Sequence, residues 1–159
     1  MSYKLEKPYQ EKQRTDFIVK YNHNMGLKIE ETPEALYALE ANEIMQDGIP
    51  VINPDYEAEQ AQKEAERIAM LNLTAADVER AIYKAKGMDF DDIISLLQQA
   101  QNPDIDIKAL KIELKANNFY RGNPYINTVG TILGFSQEQL TEFFETNDYT
   151  ALLNQESEE

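Results

Sequence analysis

The sequence predicts an α+β fold, with a small N-terminal α+β domain followed by a C-terminal helical bundle. Apolar and polar residues alternate over parts of residues 27–52, which is typical of short strands. After residue 55, helix-forming residues and a 3.6-residue apolar period replace that alternation. We therefore expect an α+β domain over 1–54, a linker helix over 55–71, a helical bundle over 72–153 and a frayed acidic tail over 154–159.

The N-terminal domain is expected to pair one helix with a small antiparallel sheet. Phe17, Ile18 and Tyr21 share one face of a predicted helix over residues 8–24, and Gly26 follows as a stop signal. Alternation then predicts a strand from Leu27 to Glu31 and another from Ala35 to Leu39, on either side of a break at Thr32-Pro33-Glu34.

The strongest local signal is a β-hairpin with Asp47-Gly48 at its turn. Both residues accept positive φ, so a two-residue turn there matches the twist of the flanking strands, 43–46 and 49–52. Pro50 has no backbone N–H, so its strand should be very short or lie at the edge of a sheet.

The linker segment is rich in Ala, Glu, Gln and Lys, which favour a helix. Its apolar positions follow a 3-4-3 spacing over about two heptads, fewer than a coiled coil requires; they are Ala58, Ala61, Ala65 and Ile68. A linker helix is the main interpretation, and a homo-oligomer formed through Ala58–Ile68 is the alternative.

The remainder is predicted to be entirely helical, with five helices. Polar N-cap residues open them, and Gly87 and Gly134 end the first and the fourth. The expected helices are 75–86 after Thr74, 89–99 from Asp89, 106–117 from Asp106, 123–133 from Asn123 and 136–145 from Ser136. The residues expected to face inward from the second and third helices are Ile93, Leu96, Leu97, Ile107, Leu110, Ile112 and Leu114.

Composition excludes several classes of function. The 159 residues include no Cys and one His, so no disulfide, thiolate zinc site, cysteine nucleophile or two-imidazole mechanism is available within the chain. No apolar run approaches the ~18 residues of a membrane span, and the N-terminus lacks the apolar core of a signal peptide. We expect no membrane partner.

The formal charge of −14 is unevenly distributed. Residues 27–71 carry eleven acidic and three basic groups, and residues 122–159 carry seven acidic groups and no Lys or Arg. Binding to a phosphate backbone requires clustered Lys and Arg, so we expect no nucleic-acid partner. The simplest interpretation of the charge is a solubilising surface.

Two patterns resemble known sites incompletely. Residues 126–143 have helix-turn-helix spacing through Gly130, Gly134 and Leu140, but the second helix carries Glu and no Lys or Arg, so a packed helical hairpin is favoured. Residues 102–113 place oxygen ligands at four positions of a calcium loop, but Ile107 replaces the glycine of the sharp turn. We therefore predict no metal site.

No motif for catalysis or for a cofactor stands out. His23 lies between two asparagines at a predicted helix end, and the chain has no glycine-rich phosphate loop. We expect a non-enzymatic protein without a cofactor, and a hydrolase using carboxylates alone is a third alternative.

The candidate partner-binding residues are aromatic, cationic and aliphatic. The connection 118–125 combines Phe119, Tyr120, Arg121 and Tyr125, and Tyr and Arg are common in binding hot spots. The alternative for this connection is that its aromatic residues fill the gap between two helices. A second group comprises Tyr37 and the hairpin edge at Ile49 and Val51.

The N-terminal residues carry a resemblance to a protein group. Tyr3-Lys4-Leu5-Glu6-Lys7-Pro8-Tyr9, Asp16–Val19 and Tyr21-Asn22-His23 resemble the start of small uncharacterised prophage proteins of Gram-positive bacteria. The similarity extends over about the first 56 residues, through Ala35–Glu40 and Asp47–Tyr56, and 118–124 is the most similar later part.

This resemblance implies a function by association. Such proteins tend to be encoded near tail genes, which implies a role in tail structure or tail assembly, in the bacterial host cytoplasm or in the virion. It implies no catalytic residues. The alternative function is an acidic decoy, whose carboxylates occupy the DNA-binding surface of a host protein.

Overall fold

The computed structural model describes residues 1–153, and it confirms the predicted α+β class. The acidic tail predicted over 154–159 lies outside the described residues. The chain divides into two compact units, Met1–Ala61 and Gln62–Glu159. The division falls within helix α2, which spans Tyr56–Met70.

The first unit is built on a three-stranded antiparallel sheet in the order β1-β3-β2. Its strands are β1 (Tyr3–Glu6), β2 (Lys28–Glu31) and β3 (Ala35–Leu39). Helix α1 covers Glu11–Ile18 and continues as a π-helical turn over Val19–His23, so it begins three residues after the predicted start at Pro8. Strand β1 was not predicted, because it is recognisable only through its pairing with β3.

Strand β3 is buried along its whole length. Leu36 and Ala38 pack with Phe17 of α1 on one face of the sheet. On the other face, Ala35, Tyr37 and Leu39 pack with Met45. The central strand therefore has apolar cover on both sides, which explains its apolar residues at consecutive positions.

The predicted hairpin is confirmed as β4 (Glu43–Gln46) and β5 (Ile49–Ile52). Its turn has φ of 51° at Asp47 and 79° at Gly48, as the two-residue turn requires. The hairpin forms a two-stranded sheet of its own, so Pro50 does lie in an edge strand. Pro50 is opposite Met45, one pair beyond the pair that closes the turn, where backbone groups point outward and no N–H is needed.

The second unit contains the five predicted helices and a short 3-10 helix over Tyr149–Leu152. Each predicted N-cap side chain accepts a backbone hydrogen bond from the first turn of its helix, and Gly87 and Gly134 are left-handed C-caps. The helices are α3 (Ala75–Lys86), α4 (Phe90–Ala100), α5 (Ile107–Glu113), α6 (Pro124–Leu133) and α7 (Gln137–Thr146).

The prediction that residues 72–153 are entirely helical is wrong at one place. Strands β6 (Asn72–Thr74) and β7 (Asn118–Tyr120) form an antiparallel ribbon. Helix α5 accordingly ends at Glu113 and not near Asn117, because the chain must straighten to reach β6. Such a short strand has no periodic signal of its own and depends on a partner distant in sequence.

The buried faces of α4 and α5 differ from the prediction in part. Ile93, Leu97 and Leu110 are buried as expected. Leu96 is exposed and Ile94 is buried in its place, while Ile112 is 71% exposed. The positions of the helices along the chain were predicted correctly. Which face of each helix is buried depends on packing against residues distant in sequence, which the local pattern does not define.

Helices α6 and α7 pack where Gly130 meets Leu140. A Cβ added at Gly130 would lie 2.5 Å from Leu140 Cδ1 and 3.3 Å from its Cγ. Both residues are buried in the core of the second unit. The small residue of the helix-turn-helix spacing thus makes room for the leucine, as expected of a packed helical hairpin.

We predict that the effect of Gly130→Ala changes sign with the residue at position 140. In the wild-type background it should destabilise by about 1–3 kcal/mol, because Leu140 cannot move freely in a packed core. In a Leu140→Ala background it should be neutral or stabilising, because alanine favours a helix by about 1 kcal/mol. Urea unfolding of the four chains measures this coupling, and equal effects in both backgrounds would contradict the proposed contact.

Candidate binding surfaces

The hairpin presents an aliphatic face to solvent. The register places Ile44 opposite Val51 and Gln46 opposite Ile49, so these four side chains share one face of the ribbon. Ile44 is 41% exposed, Ile49 is 57% exposed and Val51 is half-buried. We call Ile44, Gln46, Ile49 and Val51 the hairpin face. Ile49 and Val51 were predicted contact residues.

Ile44 was missed as a candidate, although a signal for it exists. Once Asp47-Gly48 defines a two-residue turn, the register follows by counting outward, and it places Ile44 across from Val51. Opposite residues of an antiparallel pair lie on the same face, so the candidate should have been selected together with its partner.

The opposite face of the hairpin is turned to the sheet at Met45, whereas Ile52 at its far end is 63% exposed. Met45 packs with the outer side of β3, and the Glu43 carboxylate accepts hydrogen bonds from the backbone N–H groups of Glu40 (2.8 Å) and Ser2 (3.1 Å). These contacts hold the hairpin in place within its unit and leave the hairpin face outward.

Phe119 is not available for a partner. It is 2% exposed, and its ring meets the Phe90 ring edge-on with centroids 5.7 Å apart. Strand β7 directs the Phe119 side chain into the core of the second unit. For this residue, the alternative of an aromatic side chain that packs inside the protein is therefore the correct one.

The two tyrosines of the same connection differ in exposure. Tyr120 is 47% exposed, because it alternates with Phe119 along β7 and lies opposite Asn72. Tyr125 is half-buried and packs against the core of the second unit from the first turn of α6. Of the residues predicted in this connection, Tyr120 is thus the one with an open surface.

Arg121, also predicted to contact a partner, is 6% exposed and acts inside the second unit. Its guanidinium donates to Asn127 Oδ1 (2.6 Å), Thr141 Oγ1 (3.2 Å) and both oxygens of Gln137. Burial lowers the pKa of Arg121 below its ordinary value. The side chain joins the end of β7 to α6 and α7 through neutral acceptors.

We predict that Arg121→Met destabilises the protein by about 2 kcal/mol, because it removes the charge-assisted hydrogen bonds by which the buried guanidinium joins the end of β7 to α6 and α7. Arg80→Met is the control, since Arg80 is exposed and forms an ion pair with Asp77 within one helix, which is worth about 0.5 kcal/mol. Urea unfolding gives both values. Equal losses for the two variants would show that Arg121 does not hold these elements together.

Tyr37 is likewise buried. It is 7% exposed at the centre of β3, with the Lys4 ammonium 5.9 Å from its ring centroid. Tyr37 lies in the middle strand of the sheet, so it cannot contact a partner as predicted. An alternating pattern does not show which strand is the middle one.

A cluster of polar side chains surrounds Glu31 at the end of β2. The carboxylate accepts a hydrogen bond from the Tyr9 hydroxyl and lies 2.9 Å from Lys7 Nζ and 3.5 Å from an Arg14 guanidinium nitrogen. The Tyr9 hydrogen bond first, and the Lys7 bond second, lower the pKa of Glu31 to about 2. These contacts join the segment after β1 and helix α1 to the edge of the sheet.

The lowered pKa of Glu31 predicts a specific loss of stability in acid. Its contribution is complete above about pH 4.5 and disappears as the pH falls toward about 2, because only the ionised carboxylate makes these contacts. Wild type should therefore lose more stability than Glu31→Gln between about pH 6 and about pH 3. Urea midpoints measure the difference, with Glu57→Gln, an exposed glutamate of α2, as the charge control. Parallel pH curves for wild type and Glu31→Gln would contradict this role.

No metal site is found among residues 1–153. They contain no group of three or more Asp, Glu, His or Cys side chains placed to hold a metal ion. Asp106 of the calcium-like pattern caps α5 by accepting a hydrogen bond from the Ala109 N–H. The apolar cavity lined by Phe119, Tyr125 and their neighbours has a volume of about 30 Å³, which is the space of one water molecule.

Comparison with known proteins returns no matching family model, no similar curated protein and no similar solved structure. Within residues 1–153, no helix combines the length and the apolar composition needed to cross a membrane.

Proposed function

We propose that this protein is a non-enzymatic phage or prophage protein that acts by binding other proteins. The observation that carries the proposal is the hairpin face. It exposes Ile44 and Ile49 on a ribbon whose other side packs against the sheet through Met45. Exposed aliphatic groups on an ordered surface mark protein interaction sites when they lie together.

The phage assignment and the role in a tail rest on the resemblance of the first 56 residues to prophage proteins. The residues of that resemblance include the turn and the second strand of the hairpin, within Asp47–Tyr56. We accordingly propose that the partner is a component of the phage tail, or a protein that assembles with it, in the host cytoplasm or in the virion.

The acidic decoy remains a second candidate, supported by a different surface. Helix α7 exposes Glu138, Glu142 and Glu145, and Arg67 forms an ion pair with Glu145. Such a row of carboxylates is the chemistry that a phosphate mimic needs.

We predict that Ile49→Lys reduces recovery of tail components about tenfold or more when the tagged protein is isolated from a lysogen lysate. A charged side chain on the hairpin face should oppose burial of that face. Ile112→Lys is the matched control, because Ile112 is more exposed and lies on α5 in the other unit. Circular dichroism confirms folding of each variant.

Two outcomes would contradict this proposal. Equal recovery of tail components with Ile49→Lys and wild type would remove the hairpin face from the interaction. Recovery of a nuclease, polymerase or repressor, lost on raising salt from about 150 mM to about 500 mM, would favour the decoy, because phosphate mimicry is electrostatic.

A further inference from the structure

We infer that helix α5 of one copy of this protein docks on helix α7 of a second copy, through Lys111 and Lys115 on the first and Glu138 and Glu142 on the second. The inference concerns the second unit and does not rest on the proposed function. Three observations support it: charges of opposite sign without partners among the described residues, equal spacing of those charges, and an exposed apolar residue that a cleft can receive.

Helix α5 carries a basic and partly apolar face. Lys108, Lys111 and Lys115 are exposed, and none of them forms an ion pair with another described residue. Lys115 lies in a turn that continues the helix, where its N–H donates to the Ile112 carbonyl at 3.1 Å. Ile112 lies among the lysines and is 71% exposed. Such a face complements a surface that is acidic and partly apolar.

Helix α7 carries carboxylates that lack a cation. Glu138 and Glu142 are exposed, and neither forms an ion pair within residues 1–153. Glu145, on the same side of the helix, is by contrast paired with Arg67. Because residues 122–159 contain no Lys or Arg, this part of the chain cannot neutralise the two carboxylates itself.

The lysine pair and the glutamate pair have the same spacing. Lys111 and Lys115 are four residues apart, as are Glu138 and Glu142, and four residues of a helix rise about 6 Å. Antiparallel docking of α5 on α7 brings Lys111 opposite Glu142 and Lys115 opposite Glu138. It also places the C-terminal end of α5, where the helix dipole is negative, beside the positive N-terminal end of α7.

An apolar contact is available beside these charges. A cleft of about 400 Å³ borders Glu138 and Glu142, and Ala151 and Leu153 contribute to its lining. Leu153 is 40% exposed, so the cleft offers an uncovered apolar group. In the antiparallel arrangement Ile112 comes level with the turn between the two glutamates, where its side chain can enter this cleft and cover Leu153.

A second copy satisfies both faces, because each face supplies the charge that the other lacks. The contact is nevertheless weak, since two ion pairs and one apolar contact fall far short of the area of about 800 Å² that each partner buries in a stable complex. The formal charge of −14 also repels free copies. We therefore expect the contact at high protein concentration or where copies are held close together. A dilute lysate meets neither condition, so Ile112→Lys remains a valid control for the hairpin face there.

Sedimentation equilibrium of the full chain tests this contact, in about 150 mM salt to screen the long-range repulsion. The weight-average mass should rise about twofold or more between about 20 µM and about 1 mM protein, because two unlike faces leave one free for a further copy. Lys111→Glu/Lys115→Glu and Glu138→Lys/Glu142→Lys should each stay near the monomer mass, since like charges then meet. An equal mixture of the two variants should regain the association of wild type, because the acidic α5 of one meets the basic α7 of the other.

A change of net charge alone gives a different pattern. Glu138→Lys/Glu142→Lys makes the chain less acidic, so weaker general repulsion would increase its association, whereas the proposed contact requires a loss. Glu57→Lys/Glu59→Lys, at two exposed positions of α2, changes the net charge equally and should associate at least as strongly as wild type. The inference would be overturned by a wild type that stays monomeric at about 1 mM, by association that survives either charge reversal, or by a mixture that does not recover it.

Discussion

The burial of strand β3 is the constraint on which the first unit depends. All five residues of Ala35–Leu39 are buried, so both faces of a small sheet need apolar cover. Phe17 of α1 covers one face and Met45 of the hairpin covers the other. Because the hairpin is a two-stranded ribbon and Met45 lies on the face turned to the sheet, the side chains of its other face point away from the sheet. The exposed aliphatic residues of the hairpin face follow from this geometry.

In the second unit, the buried guanidinium of Arg121 connects strand β7 to helices α6 and α7. Arg121 distributes its donors over Asn127, Gln137 and Thr141, none of which is charged. The planar fork of donors that suits arginine to binding hot spots also suits it to bridge several acceptors within a protein. Residue type alone therefore cannot distinguish the two roles, and the 6% exposure of Arg121 decides between them.

The candidate surface was predictable only in part, because residue type alone does not show whether a side chain is buried or exposed. Ile49 and Val51 were selected with the hairpin, and their exposure follows from a register set by the turn. Phe119 and Tyr37 were selected as aromatic residues, yet both are buried, because aromatic side chains serve cores as well as interfaces. Tyr120 is exposed only because β7 pairs with β6, a contact absent from the local pattern.

The sequence by itself determined the features that depend on neighbouring residues: the α+β class, the Asp47-Gly48 turn, and helix starts such as Thr74 and Ser136. A cap or a tight turn is decided within about four positions, so its energetics are local. Only the tertiary structure decided that β1 pairs with β3, that β6 pairs with β7, and which side of α4 is buried. These features depend on residues distant along the chain, whose proximity exists only after folding, and the same contacts decide which candidate residues remain open to a partner.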